Sequence, residues 1–101
     1  MSEDARPLLV FFRSEQSGPA RRMESLIAHL ARKERERVRV KRVDIDARPD
    51  LAARFGVTEV PTVVLVHERR VVERLEGRAS APQIERMLAS HLEPALAGAV
   101  A

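Results

Sequence analysis

The chain has 101 residues, of which 45% are apolar and 33% charged, a balance that suits one self-folding globular domain and excludes a disordered chain. It contains no cysteine, which removes disulfides, thiolate nucleophiles and thiolate metal ligands together. The formal net charge is only +3 with acids interspersed, which argues against nucleic acid as the partner; the basic side is almost all arginine, a bias that GC-rich coding explains better than anion binding does.

Leu8–Phe12 is a continuous apolar run of strand length, the pattern of a central strand covered on both faces. Ser17 then reads as a helix N-cap, with Gly18 and Pro19 in the first turn, where proline lacks only an N–H that has no intrahelical partner. Met23, Leu26, Ile27 and Leu30 recur at helical spacing, with Ala20 on the same stripe, and the helix is expected to end near Arg35–Arg37. Val38 and Val40 alternate, and Val43 and Ile45 resume one position out of phase, which predicts a second strand over Val38–Ile45 with a bulge. A short helix is expected within Asp46–Phe55, with Pro49 early and Gly56 as its stop. Pro61 opens a third strand, Thr62–Val66. His67-Glu68-Arg69-Arg70 forms a turn, and Val71–Leu75 returns as the fourth strand. Gly77 breaks the pattern. Ser80 with Gln83 three residues later fits a capping box, and Ile84, Met87, Leu88, His91 and Leu92 supply the buried face of a last helix.

No apolar run approaches the ~20 residues needed to cross a bilayer, and Met1-Ser2-Glu3-Asp4 lacks the basic and apolar regions of a signal peptide. A cytoplasmic protein with no membrane partner is therefore expected. His29, His67 and His91 lie far apart without ligand spacing, so no metal is expected, and no motif implies a cofactor.

The segment Gln16-Ser17-Gly18-Pro19-Ala20, set between an apolar strand and a long helix, together with Val60-Pro61-Thr62 ahead of another strand, resembles the thioredoxin family. Val43-Asp44-Ile45-Asp46 before Pro49, Phe55-Gly56-Val57 and Gly77 resemble the family at further points. The resemblance covers about Pro7 to Leu92. It implies a minimal α/β thioredoxin-like fold: a central four-stranded mixed sheet in the order βαβ-α-ββα with helices on both faces. It also implies a single domain over 1–101, with a core of about 7–92 and loose ends at 1–6 and 94–101. The strand and helix that thioredoxins carry ahead of the first central strand are expected to be missing, since only Met1–Arg6 precede it. Val38–Ile45 would then be an open edge guarded by Arg39 and Lys41.

The family's chemistry does not carry over. Ser17 and Ala20 stand where the resemblance places the two active-site cysteines. Gln16 stands at the tryptophan before them, and Arg13 at an earlier tryptophan. Phe11 takes the place of the buried carboxylate, and Arg42 that of its basic neighbour. Only Gly18, Pro19 and Pro61 match, Pro61 at the family's cis-proline. The resemblance thus points to a non-catalytic module that binds a protein or peptide through Val60, Pro61, Thr62 and Gly77 beside the degenerate motif 16–20. The alternatives are a degenerate relative tied to redox homeostasis without dithiol activity, and a thiol- or anion-binding site at Ser17.

Each residue also has a plainer reading. Ser17 as a nucleophile needs an adjacent base, and Glu15 is the only neighbour of that kind, so a helix cap explains it better. Serine holds thiol ligands at this fold position in some glutathione transferases, but their Glu-Ser pair and second helical domain are not found here. Pro61 could shape a turn rather than a groove. Arg13, Arg21 and Arg22 could form an anion-attracting rim or simply a solvated face. The expected state is a monomer, with a dimer through the open edge as the alternative.

Overall fold

The computed structural model describes residues 5–92. Of the loose ends expected at 1–6 and 94–101, only residues 5 and 6 fall among them, and the rest lie outside the described residues. Seven elements follow in chain order: β1 (Leu8–Arg13), α1 (Gly18–Lys33), β2 (Arg39–Asp44), α2 (Pro49–Arg54), β3 (Thr62–His67), β4 (Arg70–Glu76) and α3 (Ala81–Ala89). The four strands form one sheet in the order β2-β1-β3-β4. β1 and β2 are parallel, joined through α1; β1–β3 and β3–β4 are antiparallel.

The apolar run of β1 is central because it feeds two cores. Leu9 and Phe11 point to one face, with Val63 and Leu65 of β3, and meet Ala20, Met23, Ile27 and Leu30 of α1 and Ile84, Met87 and Leu88 of α3. Val10 and Phe12 point to the other face, with Val43 and Val64, and meet Leu51 and Phe55 around α2. Phe12 and Phe55 pack ring on ring, tilted by 56° with centroids 5.5 Å apart. Alternation along β1 and β3 thus divides one sheet between a large core under α1 and α3 and a small one under α2.

Two local expectations need correction. β2 carries no bulge: its register with β1 runs unbroken from Arg39 to Asp44. The change of phase has a simpler cause, because Val38 and Val40 face α1 whereas Val43 and Ile45 face α2, and both faces are apolar in part. The bulge lies instead between β3 and β4, where Leu65 pairs with Glu73 and Val66 with Val71, leaving Val72 as the extra residue. Finally, α1 ends at Lys33, a turn before Arg35–Arg37. There Arg37 closes a turn on Glu34, with its N–H on the Glu34 carbonyl at 2.8 Å and its guanidinium on Glu34 Oε1 at 2.7 and 2.9 Å. The turn delivers Val38 into the core.

α3 has the capping box: Ser80 Oγ accepts from Gln83 N at 3.3 Å, and Ser80 N donates to Gln83 Oε1 at 2.8 Å. It ends at Ala89, so His91 and Leu92 pack from the turn beyond it, with His91 Nε2 3.0 Å from Glu73 Oε1. α2 is short, has no side-chain cap and buries no residue fully. Its entry is fixed by Arg48, whose guanidinium holds the Asp50 carboxyl below its ordinary range by hydrogen bonding. Its exit is fixed by Arg74 of β4, which donates to the carbonyls of Phe55 at 3.0 Å and Gly56 at 3.3 Å, cations suiting a helix C-terminus.

Candidate functional site

Strand register brings the family-like segments to one end of the sheet. Phe12 at the close of β1 pairs with Thr62 at the start of β3, and Thr62 pairs with Glu76 at the close of β4. The loop 14–17, the residues 59–61 and Gly77 therefore leave the same edge of the core. The Val60–Pro61 peptide is cis. Gly77 is tied to this loop, its N–H donating to the Pro61 carbonyl at 2.8 Å. It sits at φ +83°, which favours glycine, and a Cβ there would come within 3.3 Å of the Glu59 carboxylate. Thr62 is fully buried and its Oγ1 donates to the Glu59 carbonyl at 2.8 Å, so it holds the loop from below rather than lining a surface. Val60 is half-buried. Its backbone N–H and C=O find no partner among the described residues.

Ser17 is the N-cap of α1: it takes an extended conformation, and its Oγ accepts from Ala20 N at 3.1 Å. Neither Glu15 nor a histidine bonds to it among the described residues, so no base is in place to activate the hydroxyl. Gln16 is exposed, Gly18 and Pro19 are half-buried and Ala20 is fully buried against the core. The first turn of α1 holds no acidic residue. The guanidinium of Arg22 folds back over Gly18, its nitrogens 3.7 and 3.9 Å from where a Cβ would stand.

Behind the motif the polar interior is absent. Phe11, at the carboxylate's place, is fully buried in the apolar core. Arg42, its neighbour across the β1–β2 pair, is exposed and pairs with Glu24 of α1 at 2.7 Å. Arg13 also pairs with Glu24, and approaches Asp44 at 3.7 Å. Arg13 is therefore engaged and half-buried, which removes it from the expected anion rim; Arg21 and Arg22 remain exposed.

Sequence reading missed one further polar contact at this end. Ser14 is 6% exposed, donates from Oγ to Asp46 Oδ2 at 2.8 Å and accepts from Gln16 N at 3.2 Å. It fixes the loop ahead of Ser17. Parallel pairing of Arg13 with Asp44 brings the two together, and that register was the signal available for it. Among the described residues, no group of three or more His, Asp or Glu side chains is placed to hold a metal. No helix among them is long and apolar enough to cross a membrane.

The fold and the site elements define a thioredoxin-type protein, and the comparisons agree. The family model described as Thioredoxin matches residues 1–90. The thioredoxin of Alicyclobacillus acidocaldarius is 31% identical over 88 residues, covering 87% of this chain and 84% of that protein. The thioredoxin of Chlamydia muridarum is 32% identical over 84 residues, covering 83% of this chain and 81% of that one. Among solved structures, Fasciola hepatica thioredoxin superposes with a TM-score of 0.81 at 29% identity, covering 86% of this chain and 82% of its own. The chain belongs to the thioredoxin family, and it does so without a cysteine.

Proposed function

We propose that this protein is a non-catalytic member of the thioredoxin family that binds an extended protein or peptide segment at the loop formed by Val60 and Gly77, shaped by Pro61, whose side chain is fully buried beneath it, beside Gln16–Pro19. The observation that supports this reading is the backbone of Val60, a donor and an acceptor without partners among the described residues, on a loop tied by the Thr62 and Gly77 hydrogen bonds. An extended chain can satisfy both groups at once, as in strand addition. Thiol–disulfide exchange is left aside because it needs a thiolate, and the chain has none. Ser17 as a nucleophile is left aside because its oxygen is used as a cap. The reading includes a monomer in the cytoplasm, where disulfide staples are dispensable.

The test pairs a chemical and a binding measurement. The purified chain is expected not to accelerate insulin reduction by dithiothreitol. A partner captured by the wild-type chain is expected to be lost with Val60→Asp, a change at a half-buried loop position, while circular dichroism shows the variant folded. Insulin reduction above the uncatalysed rate would overturn the non-catalytic reading. Full retention of the partner by folded Val60→Asp would remove the loop from it.

A further inference from the structure

The charge of this molecule is not spread evenly. Between Gly18 and Arg42 the sequence holds nine basic and three acidic residues, whereas the rest of the chain holds nine basic and twelve acidic. The positive excess therefore lies in the stretch that runs from α1 through the turn holding Arg35 and Arg37 into β2. These elements adjoin: Glu24 of α1 reaches Arg42 of β2 at 2.7 Å. Glu24 is itself occupied by Arg13 and Arg42, and Glu34 by Arg37, so two of the three acids are neutralised internally. Arg21, Arg32 and Lys41 are exposed and have no ion-pair partner among the described residues.

β2 is also an edge of the sheet, with β1 on one side and no described strand on the other. Its N–H groups at Arg39 and Ile45 point inward, to the carbonyls of Pro7 at 2.9 Å and Arg13 at 3.0 Å. Strand period two then turns the N–H and C=O of the intervening even positions, Val40 and Arg42, outward. An open ladder thus lies at the end of the chain's most basic stretch, on a strand that carries Arg39, Lys41 and Arg42 against Asp44 alone.

We infer that the outer edge of β2 accepts an extended acidic segment of a partner protein as an added strand. The backbone of Val40 and Arg42 would supply the hydrogen bonds, and Lys41 on the α2 face of the sheet and the basic residues of α1 on the other face would select acidic side chains. A second copy fits poorly, because pairing two β2 edges would set two positive flanks against each other. This surface is separate from the Val60 loop, since β1 and β3 lie between β2 and β4 and Gly77 follows β4.

The probe is a short fluorescein-labelled peptide alternating valine and glutamate, followed by anisotropy on the full chain. Three results are expected: binding that weakens with added salt, about tenfold weaker binding by the exposed-site variant Lys41→Glu, and loss of binding when alternate amides of the peptide are N-methylated. Amide shifts on binding should centre on Val40 and Arg42, and Val60→Asp should bind the probe normally, which separates this site from the loop proposed above. Equal binding of the N-methylated peptide would overturn the inference, leaving only charge attraction of the kind any polyanion gives. So would Val40 and Arg42 amides already protected from exchange in the free monomer, which would mean the chain's own terminus covers the edge. A dimer in sedimentation that dissociates as those amides become exposed would assign the edge to a second copy.

Discussion

Ser17 shows how a position that carries chemistry elsewhere in the family can keep a structural task. Its oxygen satisfies the Ala20 N–H, one of the donors that a helix start leaves without an intrahelical partner. Ser17→Ala is therefore expected to lower stability by about 1 kcal/mol, and Ser17→Asp to restore most of it, since Asp caps equally well and no acid now faces the dipole in the first turn. Chemical denaturation of the three proteins checks this; an alanine variant as stable as the parent would deny the cap its role. Cap, glycine and proline were readable from Ser17 to Pro19 alone, because a cap acts over three residues. The contacts of Ser14 with Asp46, and of Arg13 and Arg42 with Glu24, were not readable in the same way. They join residues between 11 and 32 positions apart, and they exist only once β1 and β2 are in register.

At the scale of elements, the strands and helices followed from short-range signals: the run Leu8–Phe12, the stripe on α1 and the Ser80–Gln83 box. The bulge did not, because a phase change along β2 looks the same whether a strand is kinked or has two apolar faces. The β3–β4 hairpin adds a local conflict between sequence and structure. Its two-residue loop places Glu68 at φ 54° and Arg69 at φ 69°, the left-handed region that both central residues of such a turn need. Neither residue favours it, and the cost is of order 1–2 kcal/mol per residue. Replacing the pair with Asn and Gly (Glu68→Asn with Arg69→Gly) is expected to raise Tm, with a net gain of about 1 kcal/mol after glycine's greater freedom in the unfolded chain is allowed for. An unchanged or lower Tm in calorimetry would show that the loop is held by something other than its own backbone.

The whole molecule poses the question of whether the scaffold outlived its chemistry. Positions 17 and 20 are the N-cap and third residue of α1, one turn apart, with Ala20 buried and Ser17 half-buried. Ser17→Cys with Ala20→Cys is expected to yield an intramolecular disulfide under mild oxidation, since the helix start favours a thiolate. Reductase activity should be measurable but small, because fully buried Phe11 cannot relay a proton. A folded double variant that keeps both thiols free by mass spectrometry would show that the two positions do not face each other. The division of the sheet into unequal cores has a consequence of a different kind. The α1–α3 side encloses twelve buried residues and the α2 side four, and α2 itself buries none. Opening α2 therefore uncovers the smaller core, including the Phe12–Phe55 contact, and releases the two Arg74 hydrogen bonds at its exit, while the larger core stays covered. That opening is expected to cost less than global unfolding, with α2 amides exchanging faster than those of α1, so the two faces of the sheet would belong to different tiers of local stability. The thin side is the one through which solvent and proteases first reach the chain, while the sheet and its thick side stay closed.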